Sequence, residues 1–232
     1  MFGHLRNTHQ GLWIGLLILV LWLGTLIFNL TYEVDYRSPW TYLLILLQAH
    51  LYTGLFITAH DAMHGAVSPY NMKLNHFVGK MCTVLFMFNS YDKLLPKHHR
   101  HHRHAGTEKD PDFHKGDESF WIWFLQFAKE YVTLRQLIII TITMQLLRFV
   151  FPLENLILFW CFPSFLSTLQ LFLFGTYLPH RGEHEQGNKH RSRSQNRNHL
   201  VAFFTCYFFG YHYEHHDSPH TPWWELWEKK LA

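Results

Sequence analysis

Long apolar runs alternate along the chain with polar stretches crowded with histidine. From Gly11 to Leu30 no charged residue interrupts the run. About 20 apolar residues are what a helix needs to cross ~30 Å of hydrocarbon. Further runs cover residues 40–59, 136–151 and 155–178, the last with Pro163 as an expected kink. Apolar stretches at 77–88, 120–127 and 200–211 are too short for crossings and suit interfacial or re-entrant helices. The first run exceeds the apolar core of a signal peptide, and no small-residue cleavage pattern follows it, so it is read as a retained span. The expected fold is an all-α integral membrane protein, a single domain over residues 1–232, with about four transmembrane helices and a cytoplasmic helical cap.

Four spans place both termini, the loop from Asp61 to Leu134 and the tail after Pro179 on one side. Lys73, Lys80, Lys93, Lys97, Arg100, Arg103, Arg181, Arg191 and Arg193 all fall there, whereas the opposite loops carry little beyond Arg37 and Arg148. An excess of Lys and Arg marks the cytoplasmic side. The same drawing gathers every histidine cluster on that face.

Composition sharpens the picture in one respect: 20 of the 232 residues are histidine, most of them clustered. The three cysteines, Cys82, Cys161 and Cys206, form no CxxC pair and lie in or beside apolar segments, which suits reduced packing residues. A net charge of only +3 without a recognisable nucleic-acid motif argues against a nucleic-acid partner.

His60 and His64 are spaced i, i+4 where the second run ends, so both rings share one helical face. His98, His101 and His102 form HxxHH; on a helix these three are expected to converge while His99 points elsewhere. A second HxxHH follows at His212, His215 and His216, and His180 with His184 repeats the i, i+4 spacing at the end of the fourth run. Each pattern alone suits a solvated or interfacial histidine; their recurrence points to a metal site.

Ten candidate ligands exceed what one metal takes, so two metals are expected, with room for water or oxygen. Imidazole suits several transition metals. A membrane setting and an apolar substrate with nothing to hydrolyse favour redox-active iron. Asp61, Asp110, Asp112, Glu183 and Glu214 lie close enough in sequence to accept the second ring N–H of a ligand. His4, His9, His50, His76, His114, His190, His199 and His220 fall outside the repeated pattern, with His50 read as a core histidine of the second span.

Apolar spans followed by HxxxH, HxxHH and a distal HxxHH resemble the membrane fatty-acid desaturase and hydroxylase superfamily. Within it, HDAMHG from His60, HRHAGTEKDPDFH from His102, TYLPHRGEH from Thr176 and FGYHYEHHDSPHTPWW from Phe209 resemble the β-carotene ketolases. Phe208 and Trp227 depart from that pattern, where a histidine and a proline are expected.

The resemblance implies two iron ions, O₂ as co-substrate and oxidation of the ring C4 methylene of β-carotene to a ketone. Phe86, Phe88, Phe172, Phe174, Phe204 and Trp223 are candidate walls for such a substrate. With no dinucleotide fingerprint and no cysteines spaced for an iron–sulfur cluster, electrons are expected from an external, ferredoxin-type donor. The basic face, including Arg191, Arg193 and Arg197, is its expected dock. The rival readings are an acyl desaturase or hydroxylase, a carotenoid 3-hydroxylase and a histidine-rich metal transporter. A transporter places its polar groups near the bilayer midplane, whereas these clusters lie beyond the run ends.

Overall fold

The structure is a computed structural model that describes residues 9–231; the His4 reading lies outside them. All regular structure among those residues is helical. Helix α1 covers Gln10–Thr31, α2 Pro39–Met63, α3 Met72–Leu85, α4 Tyr91–His104, α5 Phe120–Tyr131 and α6 Leu134–Leu147. A continuous helix α7 runs over Leu153–His180. The short α8 His199–Cys206, α9 His212–Asp217 and α10 Leu226–Leu231 complete the fold.

α1, α2 and α7 are long and apolar enough to cross a membrane. The outer face of α1 is apolar and bare: Trp13, Leu17, Val20, Ile27 and Phe28 are all more than half exposed. Such a face is stable against lipid, where no water competes for the backbone. α6 is shorter than expected. Its 14 residues reach about 21 Å at 1.5 Å per residue, less than the ~30 Å of a bilayer core.

Contacts at the two ends of the bundle nevertheless fix the path. At one end the side-chain amide of Asn155 donates to the carbonyls of Asn29 (2.9 Å) and Tyr32 (2.7 Å), so α7 starts beside the turn between α1 and α2. At the other end Gln136 Nε2 donates to the Met87 carbonyl (2.7 Å), and Glu130 pairs with Lys97 (2.9 Å), close to the histidines of α4. The chain between Gln136 and Asn155 therefore runs from one end to the other beside the three long helices α1, α2 and α7.

Polar clasps tie the long helices together. Gln48 Oε1 accepts from Thr25 Oγ1 (2.8 Å) and Asn29 Nδ2 (3.3 Å), linking α2 to α1, while the hydroxyls of Thr53 and Ser167 bond α2 to α7 at 2.8 Å. Interhelical hydrogen bonds in membranes contribute about 0.6–1.7 kcal/mol each, so their main effect is to set register.

In α7 the backbone widens into π turns at Leu156–Cys161 and Leu173–Tyr177. Pro163 and Pro179 follow them closely. Proline lacks an N–H and crowds the carbonyl four residues back; here those residues are Phe159 and Gly175, both inside the wider turns. The second turn also brings Gly175 against Phe209: a Cβ at 175 would lie 2.3 Å from the Phe209 ring.

Candidate metal centre

Nine of the ten sequence-predicted histidines come together at one end of the bundle as two groups. His60, His64, His98, His102 and His215 form one; His101, His180, His212 and His216 form the other, the ligand atoms within each lying within 4.8 Å of one another. Helical phase explains the division. Successive residues on a helix turn by about 100°, so His98 and His102 share a direction that His101 does not. The expected convergence of all three is corrected: α4 gives an i, i+4 pair to the first group and His101 to the second. The distal HxxHH divides in the opposite sense, with His212 and His216 in the second group and His215 in the first.

His184 belongs to neither group. The helix ends at His180, Arg181 is extended and Gly182 is left-handed (φ +66°), so the helical spacing that would bring His184 alongside does not exist. Its Nε2 instead faces the His180 carbonyl at 3.3 Å.

The Nε2 atoms point at one another at close range. Those of His64 and His98 are 2.7 Å apart, His60 and His215 3.1 Å, and His215 and His102 3.0 Å. In the second group a row runs His101–His216–His212–His180 with spacings of 3.1, 3.0 and 3.0 Å. Neutral imidazoles cannot satisfy that row. His101 Nδ1 donates to Asp110 (2.9 and 3.0 Å) and His180 Nδ1 to the Arg191 carbonyl (2.7 Å), which leaves a bare Nε2 at each end. Four nitrogens alternating as donor and acceptor cannot begin and end on acceptors. A cation closes the row, either a proton on His101 or a metal ion; a proton bridges two nitrogens, a metal ion gathers all four.

Burial favours the metal-ligand state of the ring. Removal from water pushes His98, His212, His215 and His216 well below the usual histidine range, and neighbouring imidazoles push the same way. Neutral rings keep a lone pair free for a metal. Burial also opposes the charged form of His101, but the carboxylates of Asp110 and Asp112 outweigh it, and its net shift is upward. The donor set fits two transition-metal ions: nine imidazoles divided five and four, with carboxylate and carbonyl acceptors behind.

The proposed supporting carboxylates separate. Asp61 lies 3.4 Å from His60 Nδ1 and accepts from the Trp223 backbone N–H (2.9 Å). Asp110 holds His101, while Asp112 lies 3.7 Å from it and accepts from the Tyr131 hydroxyl. Glu183 is exposed, and Glu214 takes Lys230 Nζ at 3.2 Å and the Ser194 hydroxyl instead of a ligand ring.

Sequence reasoning missed Tyr131 and the Arg191 carbonyl; neither stands in a pattern that marks it. It also missed His99 and His220, which contact the Met63 (3.1 Å) and His64 (2.8 Å) carbonyls and clamp the end of α2. His50 stacks on Tyr207 (4.3 Å between centroids), away from both groups.

An apolar cavity of about 500 Å³ ends on His60, His98, His101 and His212. Phe56, Phe86, Phe127 and Phe209 are among its walls. Of the six aromatic candidates only Phe86 lines it; Phe172 is buried instead against Trp123 and Phe124, and Phe204 is 66% exposed. Val132, Leu137 and Phe165 line the cavity and are also 45–49% exposed, so between α6 and α7 its wall is one side chain thick.

Known proteins of similar sequence include carotenoid ketolases. Over 181 residues, 76% of this chain and 41% of the relative, the chain is 43% identical to the zeaxanthin 4-ketolase of Chlamydomonas reinhardtii. It is 41% identical to a beta-carotene ketolase of Haematococcus lacustris, over 76% of this chain and 58% of that protein. With a beta-carotene ketolase of Paracoccus sp. (strain PC1) it shares 39% identity over 76% of this chain and 73% of the relative. The chain thus spans about half the length of its Chlamydomonas and Haematococcus relatives. The profile of the fatty acid desaturase family matches residues 37–155 and 126–230, taking in all nine grouped histidines: the chain belongs to the fatty acid desaturase family.

Proposed function

We propose that this chain is an O₂-dependent carotenoid 4-ketolase in which nine histidines hold two iron ions. The observation that carries the reading is the apolar cavity ending on four of those histidines; the names of the ketolase relatives supply the substrate class. His60, His64, His98, His102 and His215 would hold one iron, and His101, His180, His212 and His216 the other. When bound, the iron pair would supply the reduction of O₂ that oxidises a C–H bond.

The ring C4 of β-carotene is an allylic methylene. One O₂, two electrons and two protons convert it to an alcohol and water; a second round gives a geminal diol, which loses water to leave the ketone. The protein's part is to exclude water and fix the ring. Phe56, Phe86, Phe127 and Phe209 surround an apolar ring without competing hydrogen bonds. A carotenoid is about as long as the ~30 Å hydrocarbon core, so one ring fills the cavity while the polyene leaves through the thin wall between α6 and α7. Because the exposed part of that wall, Val132, Leu137 and Phe165, is apolar, we read it as the entry from the bilayer.

The membrane reading takes α1, α2, α6 and α7 as four spans, with the α6 span completed by residues 148–152, and puts the histidine end and both termini on the cytoplasmic side. The end-to-end path and the Lys and Arg excess support it. An external ferredoxin-type donor would dock on that face. Arg191 and Arg193 already donate to backbone carbonyls, but Lys93, Arg100 and Arg103 stand exposed on α4, whose opposite face carries His98, His101 and His102. Turnover that falls as salt rises is the expected sign of such docking.

The test is chromatography of pigments from β-carotene-producing bacterial cells that express the chain, beside a His215→Ala control. Echinenone and canthaxanthin with the wild type alone are expected. Unchanged β-carotene in a well-expressed sample with an adequate donor would overturn the reading in favour of an acyl substrate; 3-hydroxylated pigment would move the oxidation to carbon 3.

A further inference from the structure

Tyr131, the last residue of α5, lines the cavity beside Phe127, Ala128 and Val132. Its hydroxyl donates to Asp112 Oδ1. The other oxygen of Asp112 lies 3.7 Å from His101 Nδ1, and the Asp112 backbone N–H donates to Asp110 Oδ1 at 2.9 Å. Asp110 in turn holds His101 Nδ1. The Asp112 carbonyl accepts from Trp123 Nε1 at 2.7 Å, so two residues of α5 hold Asp112, one at its backbone and one at its side chain. Lys97, next to His98 on α4, lies 5.0 Å from the centre of the Tyr131 ring and pairs with Glu130. Tyr131 is thus held at its hydroxyl by Asp112, which lies beside His101, and at its ring face by Lys97, the chain neighbour of His98.

A wall residue needs only shape, and phenylalanine would fill this one. The hydroxyl commits the wall to a carboxylate that a metal ligand already faces. We propose that Tyr131 is a positioning residue through which a carotenoid ring in the cavity is sensed at His101, so that O₂ is reduced only when substrate is present. The proposal rests on the ketolase reading above. A ring packed against the face of Tyr131 moves its hydroxyl relative to Asp112. The Asp110–Asp112 turn then changes its hold on His101 Nδ1, and with it the direction in which Nε2 points. Without substrate, two donor electrons, two protons and O₂ would give hydrogen peroxide; with substrate, the same inputs give one C–H hydroxylation and one water.

The experiment uses the full chain, iron-loaded and reconstituted in lipid, as wild type, Tyr131→Phe and Asp112→Asn. Three quantities are read: iron per chain, the change in the reduced iron's magnetic circular dichroism on adding β-carotene, and peroxide released per ketone formed. Tyr131→Phe is expected to keep its iron, to lose the β-carotene-induced spectral change and to release about ten-fold more peroxide per ketone, a usual size for coupling between sites. Asp112→Asn keeps an acceptor for the tyrosine but removes the charge beside His101; it is expected to uncouple in the same way, and it decides the matter if Tyr131→Phe does not fold. A wild-type spectral response and peroxide yield in either iron-loaded variant overturns the proposal. A wild-type chain that binds iron but makes no ketone overturns the ketolase reading instead.

Discussion

His101 stands where three demands meet: its Nε2 faces the second histidine group, its Nδ1 the Asp110 carboxylate, and Asp112 lies beside both. Asp110→Asn keeps an oxygen but removes the charge that fixes the Nδ1–H tautomer. Loss of such a partner typically costs 10–100-fold in metal affinity, and an iron titration of the purified variant should find a loss of about that size. His184 offers the contrast. Since the chain turns away after His180, His184→Ala should keep the wild-type iron content by elemental analysis, while His180→Ala loses one of the two ions. Equal loss in both would place His184 back among the ligands.

At the scale of elements, α2 is the hub, buried against α1, α3 and α7, and small residues let its neighbours approach. Gly79 on α3 is one of these: a Cβ there would lie 2.3 Å from the Tyr91 ring and 2.9 Å from Ala62 Cβ. Both neighbours are buried, and overpacking of this kind costs about 1–3 kcal/mol. Thermal unfolding of Gly79→Ala in detergent should show a lower midpoint, and α4 with its three grouped histidines should be the first part to loosen. The seam between α6 and α7 bears the opposite test. Phe165→Trp enlarges a residue on the mouth of the cavity, far from the metal ligands in sequence. It is expected to slow ketone formation several-fold with iron content unchanged; an unaffected rate would show that substrate enters elsewhere.

For the whole molecule, the histidine end couples stability to acidity. His98, His212, His215 and His216 are held neutral in the fold, well below the ordinary value, which is about 6.5. In the unfolded chain they bind protons as pH falls through that value, so the unfolded state gains protons that the folded state refuses. Stability is therefore full above about pH 6.5 and declines below it. A metal bound by the grouped histidines would add to the fold, because it binds only the assembled set. Unfolding midpoints at pH 7.5 and 5.5, with and without a chelator, should fall on acidification and on chelation. A midpoint insensitive to both would mean that the rings are not held as described.

What the sequence by itself determined is what repeats locally: the three long apolar helices among the four expected runs, the histidine clusters beyond the ends of those runs, and the i, i+4 pair 60/64 that shares a helical face. Helical periodicity acts over a few residues, so it is legible wherever a helix forms. Tertiary structure alone decided how the histidines divide into two groups, because that depends on which helix faces which across more than a hundred residues of chain. It also took His184 away, since the bend at Gly182 breaks the very periodicity on which its spacing was read. The Arg191 carbonyl behind His180 and the Tyr131 hydroxyl behind Asp112 were likewise invisible in the sequence. A backbone carbonyl belongs to every residue, and a tyrosine at a helix end acquires a meaning only when packing sets its hydroxyl beside a carboxylate.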